Sequence, residues 1–242
     1  MFSAIPLFSA ALLVALPLAG QGGLTALAGG GIPAAFDIVH AEIRTTGNVA
    51  TFRMAVSGQA GTTTPEATGR FAGSEAFSYV WPTSIDPWEV GFDKGAGILA
   101  LAVTAHPDFD DTPLYDEDRD GDLGNDGYTW HVHWVVLGLD PVCGAGALKV
   151  IDIPAGAKPR LPRTWPGVPL LLDSPAWQPA IGREAVEVKV PCDDIAVGEA
   201  ANYDGGTAGL RINASAHAPL LCVSNVFDVA SGDLSLPGRV VR

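Results

Sequence analysis

The feature that most constrains the fold is a period-two alternation of apolar and polar residues, repeated along the chain in short segments. Examples are 36–43, 50–56, 186–190 and 210–215, and the continuous apolar run 98–103 is a further strand candidate. Alternation of this kind is typical of a strand with one buried face. The segments are separated by clusters drawn from 29 glycines and 19 prolines, and no helical stripe interrupts them. The sequence therefore predicts an all-β fold, an antiparallel β-sandwich of about eight to ten strands with long ordered loops.

The N-terminal segment 1–28 predicts a secretory signal peptide. An apolar run from Ala4 to Ala19 precedes the small-residue site Ala26-Leu27-Ala28. A membrane anchor is the alternative, but the run is short for a span of about 20 residues. We expect residues 29–242 to form a single domain that is periplasmic or secreted and is not attached to a membrane after signal removal.

Three cysteines allow at most one disulfide within the chain. Cys143 lies in a predicted turn and Cys222 in an apolar run, whereas Cys192 follows the alternating valines of a strand. We predict that Cys143 pairs with Cys222, which suits an exported protein.

The charge balance limits the classes of partner. The formal net charge is −13, with only 14 lysines and arginines. Nucleic acids and anionic membrane surfaces need clustered cations, so both are excluded as expected partners. Metal ions are the charged partners that this composition favours.

The acidic loop 108–127 predicts a calcium site. Nine of the nineteen residues from Asp108 to Asp126 are acidic, and only Arg119 opposes them. Carboxylates in a D-x-D-x-D-G-D pattern can converge on one hard cation, while the glycine allows the chain to turn. A solvated acidic loop without an ion is the alternative. The predicted calcium ligands are Asp116, Asp118, Asp120, Asp122 and Asp126.

Histidines bracket the acidic loop and predict a second metal site. His131 and His133 are two residues apart, so they share one strand face, opposite the face that Trp130 and Trp134 place in the core. His106 shares its strand face with small residues that leave room above the sheet. Imidazole suits copper and zinc, and the alternative is that these are exposed polar residues or histidines hydrogen-bonded to the acidic loop. The predicted transition-metal ligands are His106, His131, His133 and His217.

A proline-rich loop, 154–179, carries basic and aromatic residues. Proline cannot donate to a sheet ladder, so we expect this segment to cover a sheet edge or to act as a ligand-binding flap. Tryptophans in turn-rich surroundings either stack on a carbohydrate or another small ligand, or wedge loops onto a sheet. The tryptophans considered as ligand contacts are Trp81, Trp88, Trp165 and Trp177.

Two stretches resemble a known class of secreted modules. The opening FDIVHAEIRTTGNVATFRMAVSG and the later EAVEVKVPCDDI and GLRINAS are similar to strands of DOMON-type and family 9 carbohydrate-binding modules. This resemblance implies a secreted β-sandwich that binds heme or sugar. No functional residue of those families is carried over to this sequence.

Together these features predict an exported, non-enzymatic metal-binding protein with a structural calcium loop and a histidine-based copper or zinc site. Two alternatives stay open at this point. One is a carbohydrate- or small-ligand-binding module with structural calcium, and the other is a metal-dependent hydrolase or oxidase. Motifs such as GxSxG and HExxH are absent from the sequence.

Overall fold

The first two long strands form the hairpin that the alternation predicts. Strand β2 (Ile38–Thr46) pairs with β3 (Val49–Val56), and Thr46 faces Val49 across the turn. Gly47 in this turn has a φ of 58°, a left-handed conformation that glycine adopts without steric cost. The computed structural model describes residues 23–110, 116–153, 172–173, 177–195, 197, 201–215 and 218–242.

One layer of the fold is a five-stranded antiparallel sheet built around this hairpin. Its spatial order is β1 (Leu24–Thr25), β2, β3, β10 (Ala185–Pro191) and β9 (Ala180–Ile181). A short α1 (Cys192–Ile195) follows β10. The edge strand β1 pairs with β2, so cleavage of a signal after Ala28 would remove this strand from the sheet.

The second layer closes on itself to form a six-stranded antiparallel barrel. The barrel strands are β4 (Glu75–Pro82), β5 (Ile98–Ala105), β6 (His131–Leu139), β7 (Leu148–Val150), β12 (Gly206–Ile212) and β13 (Leu221–Val229). Their spatial order is β5, β4, β12, β13, β7, β6, and a further pairing between β5 and β6 completes the circle.

Short elements complete the described fold. Strand β8 (Leu172–Asp173) pairs with β6, and β11 (Asn202–Tyr203) pairs with β14 (Gly238–Arg239). Two 3₁₀ helices occupy Pro87–Val90 and Asp126–Tyr128. Most of the proline-rich loop lies outside the described residues, but β8 belongs to it and runs along the edge of β6.

The main hydrophobic core lies between the sheet and the outer face of the barrel. Phe52 of the sheet packs edge-on against Trp81 and Trp134 of the barrel. A second, smaller core lines the inside of the barrel with residues such as Val135 and Leu210. Strands β5 and β6 are therefore buried on both faces, which favours their nearly continuous apolar sequences.

The structure confirms the predicted all-β antiparallel class. About eight to ten strands were predicted, and the described residues contain nine strands of three or more residues and five segments of two residues. Closure of one layer into a barrel was not predicted. The predicted disulfide between Cys143 and Cys222 is present and indicates an oxidising compartment. Among the described residues, no helix is long and apolar enough to span a membrane.

Candidate metal centre

Two neighbouring barrel strands bring three histidines together. His131 and His133 begin β6, and His106 directly follows β5. In the β5–β6 register Thr104 faces His131 and Ala102 faces His133, so the histidine that ends this face of β5 reaches both. One nitrogen of each imidazole lies within 4.8 Å of the other two. We call His106, His131 and His133 the histidine cluster.

The histidine cluster is buried inside one mouth of the barrel. The exposed fractions of His106, His131 and His133 are 2 %, 2 % and 1 %. The predicted assignment of strand faces is correct, because Trp130 and Trp134 face the main core. The alternative that these histidines are exposed polar residues is wrong, because the closed barrel places a second interior on that face.

Hydrogen bonds to backbone carbonyls define the tautomers of two of these imidazoles. Nδ1 of His106 lies 2.8 Å from the carbonyl oxygen of Phe109, and Nδ1 of His131 lies 2.7 Å from that of Thr129. A carbonyl oxygen can only accept, so each Nδ1 carries a hydrogen. In a neutral imidazole the proton is then absent from Nε2, where the lone pair is available to a metal.

The two Nε2 atoms face each other. They lie 2.8 Å apart, and the rings are nearly perpendicular. Two neutral imidazoles of this tautomer would direct lone pairs at one another, so the contact needs a proton or a metal ion between them. A proton would make one of the two imidazoles an imidazolium that donates to the other. A metal ion satisfies both lone pairs.

The acidic loop brings part of the predicted calcium set together. Carboxylate oxygens of Asp116, Asp118 and Asp126 lie within 4.8 Å of one another. We call these three the acidic cluster. Asp126 is fully buried and accepts hydrogen bonds from the backbone amides of Glu117 and Asp118.

The other two predicted calcium ligands have a different place in the loop. Asp120 accepts from the backbone amide of Asp122 and from the side chain of Asn125, and Asp122 accepts from the amide of Gly124. Neither belongs to the acidic cluster. Their carboxylates cap turns, so they shape the loop that carries the cluster.

The 3₁₀ helix Asp126–Tyr128 connects the acidic cluster to the histidine cluster. The backbone amide of His106 donates to the carbonyl of Gly127 over 2.7 Å, and the amide of Thr129 donates to that of Asp126 over 2.8 Å. Thr129 in turn accepts from His131. An ordered acidic loop therefore positions the imidazoles of both His106 and His131.

The histidine cluster lies between two spaces of opposite character. His106 and His133 line an apolar cavity inside the barrel, with a volume of about 100 Å³. His131 lines a polar surface depression of about 310 Å³, together with Glu117, Asp118 and Gln178. The depression gives a hydrated ion a route from solvent to His131.

The remaining predicted site residues do not join this centre. His217 and Trp165 lie outside the described residues. Trp81 has no exposed surface and Trp177 is 4 % exposed, so the expectation that they stack on a surface ligand is wrong. Trp177 instead packs edge-on against Trp134 of the main core. Trp88 is 55 % exposed and retains an accessible ring.

Sequence reasoning missed Phe109. Its ring stacks on His106 with centroids 4.2 Å apart and planes 5° from parallel, while its carbonyl accepts from the same imidazole. Phe71 also packs edge-on against Phe109. An aromatic residue within the acidic run was the available signal, because such a residue needs a packing partner.

Glu117 has the most perturbed carboxylate beside the acidic cluster. Burial, followed by the nearby carboxylates of Asp126 and Asp110, raises its pKa to about 8. Both of its oxygens are shielded from solvent. The metal-free folded protein therefore retains a proton that the unfolded chain releases above about pH 4.5.

In metal-free protein this proton makes stability depend on pH. We expect the free energy of unfolding to fall as the pH rises from about 4.5 and to level off above about 8. Glu117→Gln should flatten this dependence, because the amide does not ionise. Urea unfolding of chelator-treated protein at pH 5, 7 and 9 measures it. Glu66→Gln, at an exposed position, is the control. Equal pH profiles for wild type and Glu117→Gln would contradict the assignment.

Comparison with known proteins gives no family. No protein-family model, no curated protein and no solved structure matches this chain. The resemblance to DOMON-type and family 9 carbohydrate-binding modules stays a prediction. Inferences about function therefore depend on the geometry of the histidine cluster and the acidic cluster.

Proposed function

We propose that this chain is an exported metal-binding protein whose histidine cluster holds one zinc or copper ion. The observation that carries the proposal is the 2.8 Å approach of two Nε2 atoms whose Nδ1 partners are backbone carbonyls. Metal-bound histidines typically donate their second ring nitrogen to a carbonyl or carboxylate in this way. His133 supplies the third nitrogen.

Three imidazoles leave a coordination position for water or a ligand. Two imidazole nitrogens on a tetrahedral zinc ion lie about 3.3 Å apart, so the rings of His106 and His131 have to separate slightly when an ion binds. The polar depression beside His131 gives access to solvent for this movement.

In the same proposal, calcium binds the acidic cluster and orders the loop. Three carboxylates that converge within 4.8 Å repel one another, and a hard cation removes this repulsion. Calcium would thereby fix the Asp126–Tyr128 segment on which His106 and His131 depend. Export is supported by the disulfide between Cys143 and Cys222 and by the signal-like segment 1–28.

Metal content tests the proposal directly. Protein purified without a histidine tag should retain close to one zinc or copper ion per chain by elemental analysis. His131→Gln removes one ligand and the contact between the Nε2 atoms, so its metal content should fall well below one. His40→Gln is the matched control, because His40 lies on β2 in the other sheet, beside Glu42. Equal metal content in both variants would overturn the proposal.

A further inference from the structure

The inside of the barrel contains space that its side chains do not fill. The cavity of about 100 Å³ runs along the barrel and is lined almost wholly by carbon atoms. Protein interiors are normally packed with few voids larger than a water molecule. Small residues make the space here, among them Ala76, Ala102, Ala208 and Gly206.

Water is a poor occupant of such a space. A buried water needs two to four polar partners, and apolar cavities without them stay dry. The lining includes valines and leucines from five of the six barrel strands, such as Val80, Val135 and Leu210. A cavity of about 150 Å³ with similar walls can hold benzene or xenon. The chemistry of the walls selects a small, uncharged, apolar molecule.

The two ends of the cavity differ. At one end the wall consists of His106, His133 and Phe109. At the other end lie Pro82 and Val229, where β4 and β13 finish, and the side chains of Leu234 and Leu236. A molecule in the cavity would therefore have imidazoles at one end and leucines at the other.

The leucine end has an unusual backbone. Leu234 and Leu236 have φ angles of 57° and 54°, a left-handed conformation that side-chain-bearing residues seldom adopt. Strained positions of this kind persist where the surroundings hold them, and they are frequent at ligand clamps. The neighbouring Asp233 carboxylate holds the segment by accepting from the amide of Ser235 and from the hydroxyl of Ser231.

We propose that the barrel cavity is a binding site for a small apolar molecule, no larger than about benzene, that lies against the histidine cluster. Binding of this molecule in the cavity does not require a bound metal ion. Only the contact between this molecule and a bound ion rests on the proposed function. The metal would then have an acidic, hydrated approach on the His131 side and an apolar ligand on the side of His106 and His133.

Benzene is the probe for the cavity in metal-free protein. Titration followed by NMR should give saturable shifts of the methyl groups of cavity residues such as Val135 and Leu210. Ala208→Leu adds three carbons to the cavity and should weaken binding at least about tenfold. Ala214→Leu makes the same change at an exposed position and should bind like wild type. Shifts that do not saturate, or that persist in Ala208→Leu, would overturn the proposal.

A second variant covers the case in which Ala208→Leu does not fold. Val150→Ala enlarges the cavity from β7, at the end away from the histidines, and should tighten the binding of a bulkier probe, indole. Unchanged indole affinity in a folded Val150→Ala protein would count against the cavity.

Experiments with metal-loaded protein separate the proposed cavity site from the proposed metal site. In copper(II)-loaded protein, the protons of bound benzene should relax faster than in zinc-loaded protein, because the unpaired electron of copper lies nearby. Benzene binding without metal uptake would remove the proposed function and leave the cavity site. Metal uptake without benzene binding would remove the cavity site and leave the proposed function.

Discussion

Removing the disulfide between Cys143 and Cys222 is expected to lower the free energy of unfolding by about 4 to 5 kcal/mol. The two residues are 79 positions apart, so the bond closes a long loop in the unfolded chain. In the chain-entropy model a loop of that length contributes about this amount, and losses of about 2–5 kcal/mol are typical of native disulfides. The bond also connects the turn after β6 to the start of β13, on opposite sides of β7.

The double variant Cys143→Ser with Cys222→Ser tests this expectation. Urea unfolding should show a lower midpoint for the double variant than for wild type, and reductant should move wild type toward the variant. Cys192→Ser is the control, because Cys192 belongs to no disulfide and is only partly buried. Stability of the double variant equal to that of Cys192→Ser would show that the fold does not depend on this cross-link.

Local sequence patterns were sufficient to predict the strands. The β2–β3 hairpin follows from two alternating runs around Gly47, and the cysteine pairing follows from one turn and one apolar run. These signals are local, because a strand face and a tight turn each depend on a few consecutive residues.

Barrel closure could not be predicted in the same way. Alternation defines the two faces of a strand but not its neighbours, and closure depends on the pairing of β5 with β6. One signal was present in the sequence. The run Ile98–Ala105 is apolar at nearly every position, which is typical of a strand buried on both faces. The second buried face is the one that carries the histidines.

The candidate site was predictable only where it depends on alternation along a strand or on the small size of neighbouring residues. The alternation of side chains along a strand placed His131 and His133 on one face. The small residues of β5 correctly indicated space beside His106. The hydrogen bonds that define the tautomers were not predictable, because the carbonyls of Phe109 and Thr129 are positioned by loop geometry. The same geometry decides that Asp126, rather than Asp120 or Asp122, joins the acidic cluster.

Gly127→Ala is expected to disturb both clusters through the backbone alone. A Cβ atom at this position would lie 2.3 Å from the carbonyl oxygen of Phe109 and 2.5 Å from that of His106. Both obstacles are backbone atoms, so the loop has to move rather than a flexible side chain. Overpacking of this kind costs about 1–3 kcal/mol. The displaced carbonyl of Phe109 is the acceptor that orients His106.

Metal affinity is therefore expected to fall together with stability. Loss of a carbonyl that orients a metal-binding histidine typically weakens metal affinity by about 10- to 100-fold. Competition of a chromogenic chelator for zinc, measured beside thermal unfolding, gives both quantities for Gly127→Ala.

Gly124→Ala separates the effect on the centre from a general effect on the loop. Its added Cβ atom would lie 3.4 Å from a carboxylate oxygen of Asp122, which is the end of a movable side chain. Gly124→Ala should therefore keep both stability and zinc affinity close to wild type. If Gly127→Ala lost stability but kept its zinc affinity, the Asp126–Tyr128 segment would support the fold without orienting the histidines. Because the amide of His106 donates to the carbonyl of Gly127 itself, the structure favours a loss of both.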